Sequence, residues 1–114
     1  MYINLTFKED KTIEHTHIFA NGVHIGSLCD APIPNTLLWH TNTNANCIKF
    51  ALRKESTFRE ILKQLKQYKN KHGYQYILIY TNNMGIASFY TKEFLYKQGF
   101  VQIDGYDPTL YFLE

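Results

Sequence analysis

The chain has 114 residues, 45% of them apolar, with 12 basic against 10 acidic side chains and a net charge of +2. That length supports one domain over 1–114 with a single core, the apolar content excludes a disordered chain, and the small net charge gives little long-range attraction to polyanions. No run approaches the roughly 18 apolar residues of a membrane span and the first residues lack a signal-peptide pattern, so a cytoplasmic protein is expected, with Cys29 and Cys47 as reduced core thiols.

Residues 2–7 carry enough β-formers for a first strand, and 8–11 read as its turn. Residues 12–20 and 23–29 flank Asn21-Gly22. That dipeptide marks a tight hairpin, because both central positions of a type I′ turn need positive φ. With a two-residue loop Ala20 pairs with Val23, Phe19 lies opposite His24, and His17 lies opposite Gly26. One face then carries His15, His17, Phe19, His24 and Leu28. Three histidines on one face are the beginning of a metal site. Neither a carboxylate nor a Cys falls on that face to complete a shell, so no metal is expected.

Residues 30–46 are rich in turn formers around Leu37-Leu38-Trp39-His40, which reads as a long loop whose one short apolar anchor is either a packed loop segment or a short strand. Trp39 is expected to pack. Residues 47–52 form the next strand. Thr57-Phe58-Arg59-Glu60 has the spacing of a capping box, and Phe58, Ile61, Leu62, Leu65 and Tyr68 recur at helical spacing, so a helix is predicted over 58–72, ended by Gly73. Its opposite face is basic and outward. Between Arg53 and Lys71 lie seven Lys or Arg against two Glu.

Residues 76–80 (YILIY) form a continuous apolar run suited to a strand covered on both faces. A second helix is predicted over 84–97 with Ile86, Phe89, Tyr90 and Phe94 inward, then a hairpin of 100–104 with 109–113. A crossover helix between the 47–52 and 76–80 strands predicts that these two pair in parallel.

This order resembles the GNAT superfamily of acetyl-CoA-dependent N-acetyltransferases in a short form without the two early helices. The resemblance is carried by 76–80, by Asn83-Met84-Gly85-Ile86-Ala87-Ser88-Phe89 and by Tyr96-Lys97-Gln98-Gly99-Phe100. It implies an α/β (α+β) fold: a mixed, mainly antiparallel sheet of six to seven strands with two helices. It also implies acetyl transfer from acetyl-CoA to an amine, perhaps on a protein. By the same resemblance Leu52, Arg53, Lys54, Ser56, Thr57, Phe58, Arg59 and Asn83 lie nearest the cofactor, and Tyr90 or Tyr96 is the general acid for the departing thiolate. The family's glycine positions fall on Lys54, Ser56 and Phe58. Glu14 and His40 are candidate bases. Two alternatives stand beside this one: a non-catalytic protein-binding domain of the same fold, and a nucleic-acid binder using the basic helix.

Overall fold

A computed structural model describes residues 3–41, 54–80 and 91–114. The elements in chain order are β1 (Leu5–Asp10), β2 (His15–Ala20), β3 (Val23–Asp30), β4 (Thr36–Thr41), α1 (Glu55–Lys71), β5 (Tyr76–Tyr80), α2 (Lys92–Lys97) and β6 (Leu110–Leu113). The fold is α+β, a six-stranded, mostly antiparallel sheet in sequence order with two described helices. No described helix is long and apolar enough to cross a membrane.

β1 runs to Asp10, and its turn falls at 11–14 rather than at 8–11, because Glu14 supplies the positive φ (55°) that the reversal needs. Asn21 and Gly22 both take positive φ, as the type I′ turn requires, and the pairs Ala20↔Val23 and Phe19↔His24 follow from it. Beyond them the register shifts. Ile18 pairs with Gly26 and His17 with Ser27, so Ile25 is the extra residue of a β-bulge. The expected pairing of His17 with Gly26 is thereby overturned, and the reason lies in the packing of β3 against β4. Gly26 sits at φ +137°, and a Cβ there would lie 2.1 Å from the His40 carbonyl oxygen. The Ile25 carbonyl accepts a bond of 3.3 Å from the Trp39 indole N–H. Trp39 therefore packs, as expected, and is fully buried.

Among the described strands one parallel pairing joins β4 to β5 (Thr36↔Tyr76, Leu37↔Ile77, Leu38↔Leu78). Among the described residues the parallel partner of β5 is β4, the apolar anchor, here a strand; the predicted partner at 47–52 lies outside the described residues. The anchor forms a strand because Leu37 and Trp39 alternate into the core at 3% and 0% exposure, burial that outweighs the turn formers around it. β6 closes the sheet against β5. The predicted strand at 100–104 is reduced to one bridge, Val101↔Phe112.

α1 starts at Glu55, three residues earlier than predicted, and Gly73 (φ +79°) follows its end. Its buried stripe Phe58, Ile61, Leu62 and Leu65 shares a core with Ile18, Ile25, Leu28, Leu37, Trp39, Ile77 and Ile79. Lys69 departs from the outward basic face: it is buried, and its ammonium donates to the Gln75 carbonyl at 3.0 Å. α2 begins at Lys92, because Thr91 is extended (ψ 157°) and caps it by accepting from the Phe94 amide at 3.1 Å. One helix over 84–97 is excluded by that break, and Leu95 is its fully inward residue. Both described helices lie on the same face of the sheet, since Leu95 and Phe58 join one core.

Candidate functional site

The first turn of α1 stands over the carboxyl end of β4, where Phe58 stacks on Trp39 with ring centroids 6.4 Å apart. Phe58 is fully buried and Thr57 is 4% exposed, so neither side chain occupies the solvent side of the turn. The predicted capping box is absent. Lys54 is the N-cap and makes no side-chain cap bond, while Glu60 accepts from Gln64 at 3.2 Å. Thr57 lies within the turn because its neighbour Phe58 must reach the core. Lys54, Ser56 and Arg59 are exposed around this end.

A carboxylate takes up several of the donors there. Glu55 Oε1 accepts from Arg59 at 2.6 Å and from Gln98 at 3.1 Å, and Lys97 Nζ lies 3.1 Å from it. The bond from Lys97, followed by those from Gln98 and Arg59, holds the Glu55 carboxyl below its usual range. Alongside, Arg59, Lys63, Lys66 and Lys97 line a shallow groove of ≈ 430 Å³. Tyr96, on α2 beside Lys97, is 44% exposed and its hydroxyl donates to Gln102 at 2.6 Å. Leu52, Arg53, Asn83 and Tyr90 lie outside the described residues.

On the opposite face of the sheet, side chains of β2, β3 and β4 converge. The bulge turns Ser27 and Cys29 onto the histidine face and sends Leu28 to the core, reversing their expected places, because a shift of one residue exchanges the faces of a strand. His15, Cys29 and His40 thereby come together, with one ligating atom from each within 4.8 Å of the others. The His15 and His40 rings stack at 5.3 Å with 8° between their planes. His15 Nδ1 lies 3.1 Å from Ser27 Oγ, and His40 Nδ1 lies 3.5 Å from the Tyr80 hydroxyl. Burial, then the neighbouring His15, lowers the His40 pKa; burial, then Asp30, raises that of the Cys29 thiol. Cys29 is a free, half-buried thiol rather than a core one.

The predicted histidine trio is divided. His17 turns to His24, Nδ1 to Nε2 at 3.1 Å, and its own Nε2 lies 3.7 Å from Asp10. Glu14 is in the exposed β1–β2 turn and His40 points away from α1, so neither candidate base meets the α1 terminus. Cys29 and His40 were missed as partners of His15, although the sequence held a signal: a glycine inside a strand, Gly26, marks a bulge, and one inserted residue sets Cys29 opposite His15. No protein family matches the chain, and neither a curated protein nor a solved structure matches it.

Proposed function

We propose that the protein is an acyltransferase of the GNAT type that moves an acetyl group from acetyl-CoA to an amine, with a protein as the acceptor. The observation that carries this reading is the interrupted parallel junction. Among the described residues the β4–β5 ladder stops at Leu38↔Leu78 although β4 runs on to Thr41 and β5 to Tyr80. Ligands of α/β sheets bind beyond the carboxyl ends of parallel strands, and the side of Trp39–Thr41 toward β5 offers peptide groups to an extended amide chain such as pantetheine. Two features support it further. The α1 N-terminus has no side-chain cap, which leaves its amides for a pyrophosphate, and the groove of Arg59, Lys63, Lys66 and Lys97 suits the remaining phosphate. Tyr90 and Tyr96 remain the candidate acids, and Asn83, Leu52 and Arg53 the candidate cofactor contacts beside Lys54, Ser56, Thr57, Phe58 and Arg59.

The test is acetyl-CoA titration by calorimetry and thermal shift, followed by acetyl transfer to mixed peptides. Binding stabilises the fold by about 2.7 kcal/mol at a hundredfold excess over Kd. Removing Lys63 and Lys66 together weakens binding roughly tenfold without changing the unliganded melting temperature. No stabilisation at millimolar acetyl-CoA sinks the reading. One observation favours a second, non-catalytic reading: Glu55 places a carboxylate at the helix end and occupies Arg59 and Lys97. Under it the same face docks a protein partner and acetyl-CoA leaves the melting curve unmoved.

A further inference from the structure

We propose that His15, Cys29 and His40 form a binding site for Zn(II) on the sheet face opposite the two described helices. The proposal does not depend on acetyl-CoA binding, since it uses none of the residues at the α1 terminus.

The donors come from three adjacent strands and are already convergent. Tetrahedral zinc with bonds of about 2.0 Å to nitrogen and 2.3 Å to sulfur holds its ligand atoms about 3.3 to 3.5 Å apart. The three atoms lie within 4.8 Å of one another, so the shell closes when the stacked imidazoles turn their planes toward a common point and each donor moves by on the order of 1 Å. All three residues are half-buried, which leaves them reachable by an ion and by the water that fills the fourth position. Three protein ligands with one open position is the arrangement of reactive zinc rather than of structural zinc.

The donor set selects the metal. Two imidazoles and one thiolate form a borderline-soft shell with no carboxylate, which disfavours magnesium and calcium and favours zinc. Asp10, paired with His15 across β1 and β2, is engaged with Thr12 and His17, and Asp30, next to Cys29, with the Tyr74 hydroxyl.

Outer contacts orient the rings. Ser27 holds Nδ1 of His15 and Tyr80 holds Nδ1 of His40, which assigns Nε2 of each ring to the ion. Cys29 supplies the thiolate, its proton passing to solvent on binding. The bulge is what assembles the shell. Without the extra residue Ile25, Ser27 and Cys29 point into the core and His15 loses both partners. The adjacent His17–His24 pair serves as an internal control, because it lies on the same face and lacks a thiol.

The experiment titrates Co(II) into the reduced, metal-stripped full chain and then displaces it with Zn(II). One equivalent of cobalt should give a sulfur-to-cobalt charge-transfer band with the visible bands of a four-coordinate ion, both lost on adding zinc. Cys29→Ser, nearly isosteric and therefore folded, should abolish the charge-transfer band and the rise in melting temperature that zinc gives the wild type. His15→Ala and His40→Ala should each weaken cobalt binding more than about tenfold, and Ser27→Ala by about tenfold with the sulfur band retained. His17→Ala and His24→Ala should bind as the wild type does. The proposal is overturned if the wild type shows no sulfur band. It is equally overturned if Cys29→Ser keeps that band, or if His17→Ala costs as much affinity as His15→Ala, which would mean adventitious surface-histidine binding only.

Discussion

At Gly26 one methyl group decides the hairpin. Its Cβ would meet backbone oxygen at 2.1 Å and the Trp39 indole nitrogen at 2.8 Å, at a φ that side chains rarely adopt. Gly26→Ala should therefore lower the unfolding free energy by about 3 kcal/mol or more in urea titration, and with it the cobalt affinity. At Gly22 (φ +84°) nothing lies within 4 Å of the same atom, so Gly22→Ala should cost only about 1 kcal/mol. The contrast explains what could be read in advance. Asn21-Gly22 announces its turn because the conformational demand is local to two residues. The bulge depends on where the His40 carbonyl and Trp39 come to rest, and that is information from another strand. The sequence shows Trp39 as a packing residue, whereas the bond that its indole N–H donates to the Ile25 carbonyl is not legible there.

Among the elements, α1 shows how burial overrides a capping pattern. Thr57 and Glu60 have the right spacing, but starting the helix at Phe58 would forgo the turn that begins at Glu55 and seats Phe58 between Trp39 and Phe94. Starting at Glu55 puts a carboxylate in the first turn, where the helix dipole and Lys97 both favour its charged form. The folded Glu55 pKa lies below the usual 4.5, so its contribution to stability is complete above that value and is lost as pH falls through the lowered one. Glu55→Gln should flatten this part of an acid unfolding curve followed by circular dichroism, and salt should shrink the difference because the group is exposed. The apolar stripe of α1 was legible since four of its positions recur at helical period and all are buried. The break before α2 was not, because Thr91 interrupts a pattern whose apolar positions continue on both sides of it.

For the whole molecule, a crossover helix was foreseeable from the order of apolar runs, and among the described strands the parallel junction falls on β5 as expected. The other strand of that junction was misassigned because Leu37-Leu38-Trp39-His40 is short and set among prolines and asparagines. Among the described strands the sheet stays open at β1. That edge is guarded by exposed Lys8 and Glu9, charges that discourage pairing with another chain. Replacing them with Thr and Val should increase concentration-dependent association in light scattering while leaving the monomer's circular dichroism unchanged.

The bulge also orders events during folding. A hairpin nucleated at Asn21-Gly22 forms within microseconds, and its first two pairs, Ala20↔Val23 and Phe19↔His24, are the same whether or not Ile25 is taken in as the extra residue. The young hairpin thus holds two futures that differ in which of Leu28 and Cys29 faces inward. The Trp39 indole bond to the Ile25 carbonyl and the close approach of the His40 carbonyl to Gly26 both belong to the bulged register and favour it. The register of the outer half of β3 is thus coupled to the docking of β4, and a change to Trp39 should be felt in which side chains of β3 face inward.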